Sequence, residues 1–107
     1  MRRVIQVAFS ALLCSTAMAQ PVLEPAAQRG QTLARTYCAR CHSIDRISRS
    51  PLAIAPPFRT LHKKYAVENL EEAMAEGLST GHPTMPEFRF DIDQISDFIA
   101  FLKTLER

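Results

Sequence analysis

The chain has 107 residues, three cysteines and a formal net charge of +2 at pH 7. This length fits one small domain, and the charge lacks the large basic excess of a nucleic-acid-binding protein. The charge is unevenly distributed, because residues 20–64 carry 8 Lys or Arg against 2 Asp or Glu, whereas residues 65–107 carry 3 against 9.

The first predicted element is a secretory signal peptide over residues 1–19. A basic start is followed by an apolar run of about 11 residues and by a small-x-small sequence at residues 17–19, which is typical of a cleaved leader. A membrane-spanning helix needs roughly 20 apolar residues. Cleavage removes Cys14, so the mature chain keeps only Cys38 and Cys41, and we expect no integral membrane segment in it.

Residues 20–25 are predicted to form an N-terminal arm, and residues 26–107 the folded domain. Small and apolar residues recur at helical spacing from Pro25 to about Cys38, which predicts the first helix. Residues 43–57 contain three prolines and no periodicity, so we expect a loop. Helical spacing returns in two short segments, which predict two short helices. The apolar positions of the first are Phe58, Leu61 and Tyr65, and those of the second are Val67, Leu70, Met74 and Leu78.

The last helix has the clearest pattern in the sequence. Asp91 followed by Gln94 resembles a capping box, and Gly77 is expected to cap the preceding helix. Residues 79–90 are predicted to be a second loop. The apolar stripe of the last helix is predicted to be Ile92, Ile95, Phe98, Ile99, Leu102 and Leu105. The fold class is therefore all-α, with about four helices and long irregular loops.

Cys38 and Cys41 are separated by two residues, and His42 follows directly. Two thiols three positions apart on one helical turn can reach both vinyl groups at one edge of a porphyrin, and this pattern is typical of c-type haem attachment. Three alternatives are a zinc site, a thioredoxin-like redox pair and a structural disulfide. Zinc needs four ligands, whereas the other histidines, His62 and His82, lie twenty residues apart. A redox pair belongs beside a βαβ pattern, and a disulfide over three residues stabilises little.

These features, in this order, resemble the class I monohaem cytochromes c. The resemblance runs from about residue 25 to residue 105. It rests on Gly30 eight residues before Cys38, on "CARCH", on "APPF" at residues 55–58, on "GHPTMPEF" at residues 81–88 and on an aromatic-bearing last helix. It implies a small fold around one covalently bound haem c.

The motif makes His42 the proximal iron ligand, and four side chains remain as candidates for the second axial position. Met74 lies on an apolar helical face, where core packing is expected, and His62 is expected to be exposed. Met85 lies between two prolines, which lower the entropy cost of presenting a thioether to iron. Met85 is therefore the predicted ligand, and His82 is the reserve.

The resemblance also implies that the carbonyl of Pro56 accepts a hydrogen bond from the other ring nitrogen of His42. It further implies a soluble periplasmic carrier of single electrons with no catalysis of its own. Its redox partners are expected to present an acidic docking surface to the basic half of the chain. Two alternatives stay open. One is a haem subunit bound to a periplasmic dehydrogenase or oxidase, and the other is a ligand-sensing haem protein.

Overall fold

The computed structural model describes residues 4–6, 8, 10–17, 22–77 and 84–106. Within these stretches, the helical elements are α1 (Pro25–Tyr37), a 3₁₀ helix (Phe58–Lys63), a second 3₁₀ helix (Val67–Asn69), α2 (Leu70–Glu76) and α3 (Ile92–Thr104). The second 3₁₀ helix continues directly into α2, so these elements form four helical segments. The all-α prediction is confirmed, and no β-strand lies among the described residues.

Helix α1 begins at Pro25, where the missing N–H of proline costs no intrahelical bond. Its buried positions are Ala27, Gly30 and Ala34. Tyr37, the last residue of the helix, is 48% exposed. The buried face of α1 therefore consists of small residues, which lets another helix approach closely.

Helix α3 begins with the predicted capping box. The carboxylate of Asp91 accepts the N–H of Gln94 at 2.8 Å, and the side chain of Gln94 accepts the N–H of Asp91 at 3.1 Å. The predicted stripe was wrong at Ile92, which is 80% exposed, and it omitted Phe101, which is 1% exposed. The first turn of α3 projects beyond the core, so the buried face begins only at Ile95.

The main helix-to-helix contact joins α1 to α3. A Cβ atom built on Gly30 would lie 2.0 Å from the carbonyl oxygen of Asp97 and 2.8 Å from the Cβ of Phe101. Glycine is therefore required at this crossing. The crossing falls on the turn of α3 from Asp97 to Phe101.

The remaining segments close the core on one side. Phe58, Leu61, Val67 and Met74 are buried, and they belong to the same apolar cluster as the buried face of α3. Gly77 ends α2 with φ at 101°, a conformation that favours glycine. No helix in the described part of the chain is long and apolar enough to cross a membrane.

Candidate functional site

The two cysteines and His42 lie on one turn that directly follows α1. The N–H of Cys38 still donates to the carbonyl of Ala34 at 2.9 Å. The carbonyl of Cys38 then accepts the N–H of Cys41 at 3.1 Å and that of His42 at 2.9 Å. Both cysteines are half-buried and neither forms a disulfide. The turn therefore holds two thiols and one imidazole on a hydrogen-bonded extension of the helix.

The surroundings of Cys38 favour an uncharged sulfur. Burial raises the pKa of the Cys38 thiol to about 12, because a desolvated thiolate is disfavoured. A thioether carries no charge, so bonding of this sulfur to an apolar group would be compatible with the site.

The ring of His42 is held by one hydrogen bond and one aromatic contact. Nδ1 of His42 lies 2.8 Å from the carbonyl oxygen of Pro56, which can only accept, so Nδ1 carries the proton. The ring centroid of His42 lies 4.9 Å from that of Phe58. In this tautomer Nε2 keeps its lone pair, which is the form of imidazole that binds a metal.

The loop after His42 returns to the residues on either side of it. The N–H of Leu52 donates to the carbonyl of Cys41 at 3.1 Å, and the N–H of Phe58 donates to the carbonyl of Ser43 at 2.9 Å. The segment that carries the proline carbonyl is thus attached at both ends to the flanks of the histidine. Sequence reasoning predicted a loop here and missed these attachments.

Aromatic rings connect the His42 turn to the segment before α3. Phe58 contacts Phe98 in an edge-to-face arrangement with centroids 5.9 Å apart. Phe98 contacts Phe90 at 5.9 Å, and Phe90 contacts Tyr37 at 5.6 Å. A series of aromatic contacts thus runs from His42 to Phe90, which lies in the same segment as Met85.

The four candidates for the second axial position have different surroundings. Met74 is 5% exposed and packs in the core, as expected. His62 is half-buried on the first 3₁₀ helix, although it was expected to be exposed. Met85 is half-buried in the segment that precedes α3. The reserve candidate, His82, lies outside the described residues.

This donor set fits a covalently attached haem. Two thiols are available for thioether bonds, and an imidazole with a free Nε2 follows them on the same turn. A half-buried thioether lies on a separate loop, and the surrounding rings are apolar. Imidazole together with thioether is the axial pair of electron-carrying haem proteins.

Comparison with known proteins gave one match. The sequence model described as Cytochrome c matches residues 27–106, which is 80 of the 107 residues of the chain. A search of curated proteins and a search of solved structures found no match. The matched stretch begins within α1 and ends after α3, so it includes the whole candidate site.

Proposed function

The chain belongs to the cytochrome c family, and we propose that it is an exported carrier of single electrons with one haem bound covalently through Cys38 and Cys41. The family match supports a haem-containing electron-transfer protein. The observation that supports these two residues most directly is the turn after α1, which presents both thiols and His42 together.

We propose that His42 and Met85 would be the two protein ligands of the haem iron. The hydrogen bond from His42 to Pro56 supports the first assignment, because it orients the ring and leaves Nε2 as the donor atom. The burial of Met74 in the apolar core supports the second assignment, because it leaves Met85 as the methionine on a loop. Thioether ligation raises the reduction potential of a haem.

In this proposal the chain itself supplies both ligands of the iron. When bound, the haem supplies one reversible Fe(III)/Fe(II) electron step. If His42 and Met85 both bound the iron, they would leave it no place for a substrate, which favours a carrier over an enzyme. Phe58 and Phe98 are both buried and contact each other, so they would supply apolar surroundings beside His42.

Residues 1–19 act as the leader in this proposal, residues 20–25 as an arm and residues 26–107 as the haem domain. The basic start, the apolar run and the small-x-small end of residues 1–19 have the pattern of a secretory leader, and haem attachment in this family takes place after export. The periplasm is therefore the proposed location. Removal of residues 1–19 should leave the protein without haem in an ordinary cytoplasm.

The proposed redox partner has an acidic docking surface. Seven cationic side chains in the half of the chain that bears the motif are exposed. Arg29 pairs with Asp97, and the others are Arg35, Arg40, Arg46, Arg49, Lys63 and Lys64. Opposite charges on a partner would accelerate encounter. Arg59, which belongs to the same basic half, is half-buried and donates to the loop after His42.

Spectroscopy of the holoprotein tests the carrier function. We expect a ferric protein with the near-infrared band of sulfur-to-iron ligation and a ferrous protein that does not bind carbon monoxide. Met74→Leu, a nearly volume-conserving change in the core, should leave both properties intact. Rapid binding of carbon monoxide by the wild type would instead indicate an open position and the ligand-sensing alternative.

A further inference from the structure

The side chain of Arg59 joins two parts of the loop after His42. Its Nη1 donates to the carbonyl of Ser48 at 2.7 Å and lies 3.3 Å from Oγ of Ser43 and 3.5 Å from the carbonyl of Asp45. Arg59 directly follows Phe58, whose N–H is bonded to the flank of the histidine. One cationic group therefore holds the turn at residues 43–48 against the segment that carries the proline carbonyl.

The turn that Arg59 contacts is stabilised by hydrogen bonds of its own. The carboxylate of Asp45 accepts the N–H of Ile47 at 2.8 Å and that of Ser48 at 2.6 Å, and it also accepts the Ser48 hydroxyl. These bonds lower the pKa of Asp45 to about 2, so the carboxylate stays charged at neutral pH. Ser43 is 3% exposed, and its N–H donates to Oγ of Ser50 at 3.0 Å.

We infer that Arg59 is a positioning residue for the imidazole of His42. This inference rests on the proposed function, in which His42 is an iron ligand. Arg59 fixes the segment that begins at Pro56, and the Pro56 carbonyl fixes the tautomer and the ring orientation of His42. If Arg59 is lost, the carbonyls that it satisfies turn to water, and the segment is held by fewer bonds.

A weaker bond to Pro56 has an electronic consequence. An imidazole that donates its Nδ1 proton to a carbonyl is a more basic ligand. A more basic ligand stabilises ferric iron, and hydrogen bonds around the ligands are among the factors that set a haem potential. Loss of Arg59 should therefore make the reduction potential more positive and should let the Nδ1 proton exchange with water more easily.

The test compares Arg59→Met with Arg59→Lys and Arg49→Met as holoproteins. Methionine keeps a long apolar side chain without donors. Lysine supplies three donors from one atom, and in this structure a single nitrogen of Arg59 makes all the contacts. Arg49 is exposed and forms no hydrogen bond or ion pair with the described residues. Arg49→Met therefore removes one positive charge from the loop that Arg59 contacts, without removing the contacts of Arg59.

Two properties are measured on each variant, the first on the reduced protein and the second by redox titration. One is the exchange rate of the His42 Nδ1 proton by NMR, and the other is the reduction potential. Because Arg59→Met loses a charge-assisted hydrogen bond, its His42 Nδ1 proton should exchange about ten to a hundred times faster than that of the wild type. Its reduction potential should also be more positive. Arg59→Lys should recover part of both effects, and Arg49→Met should match the wild type.

The possible failures are distinguishable. A wild type without covalent haem, or with iron that His42 does not ligate, refutes the proposed function. A wild type with both, alongside an Arg59→Met protein whose exchange rate and potential are unchanged, refutes the positioning role alone. Equal shifts in Arg49→Met also refute it, because charge would then be the cause. If Arg59→Met does not accumulate, Asp45→Asn is measured in its place, because it loosens the turn that Arg59 contacts. The exchange rate and the potential should then shift in the direction predicted for Arg59→Met, but by less, and unchanged values would refute the positioning role.

Discussion

Replacement of Gly30 by alanine should separate α1 from α3. The new Cβ would lie 2.0 Å from the backbone oxygen of Asp97, and real contacts of this kind are at least 3.0 Å. Backbone cannot rotate away as a side-chain tip can, so the helices must move apart. A gap of 0.5–1 Å costs a quarter to a half of each dispersion contact along the crossing, by a rough estimate.

The net effect is the balance of two opposing terms. Overpacking of a close helix crossing costs about 3 kcal/mol or somewhat more, and the better helix propensity of alanine returns about 1 kcal/mol. The free energy of unfolding should therefore fall by about 2–3 kcal/mol, which corresponds to a melting temperature lower by roughly 10–20 °C for a domain of this size.

Denaturant unfolding followed by far-ultraviolet circular dichroism measures this change. The matched control is Thr32→Ala, an exposed change on the same helix that should stay within about 0.5 kcal/mol of the wild type. A Gly30→Ala protein as stable as the wild type, or more stable, would show that the helices do not cross at this residue.

Three further predictions concern the ligand, the loop and the partner. Met85→Ala should keep haem attached but lose the sulfur-to-iron band and lower the reduction potential; Met74→Leu should do neither, and the reverse pattern would transfer the ligand role to Met74. Asp45, whose folded pKa is lowered to about 2 from 3.8, contributes stability that is present above pH 4 and is lost as the pH falls toward 2. Asp45→Asn should remove that part of the acid dependence in urea titrations from pH 6 to pH 2, and an unchanged profile would contradict the prediction. Electron-transfer rates with an acidic partner should fall as salt rises, whereas rates that do not depend on salt would reject electrostatic docking.

Local signals in the sequence were sufficient where neighbouring residues determine the structure. The capping box of Asp91 and Gln94 lies within one turn, so both of its hydrogen bonds could be predicted from spacing. The glycine cap of α2 at Gly77 is equally local. The all-α fold class followed from the helical spacing of apolar residues, which is also a local signal.

Features that depend on distant residues were not predictable in the same way. Helical periodicity placed Ile92 in the core, but the crossing point of α1 determines where burial begins, and this exposes Ile92 and buries Phe101. The Asp45 and Ser48 pair has the spacing of a side-chain-capped turn, which is a usable signal. Nothing in the sequence indicates that Arg59, eleven residues further on, donates to that turn.

Covalent attachment of haem is the central claim, and intact mass measurement tests it most directly. The protein should be expressed with its leader in a host that ligates haem and then extracted with acidified solvent. We predict a mass increased by one haem that extraction does not remove, and no increase in the Cys38→Ser/Cys41→Ser double variant. Complete extraction of haem from the wild type, or the same covalent increase in the double variant, would contradict the account.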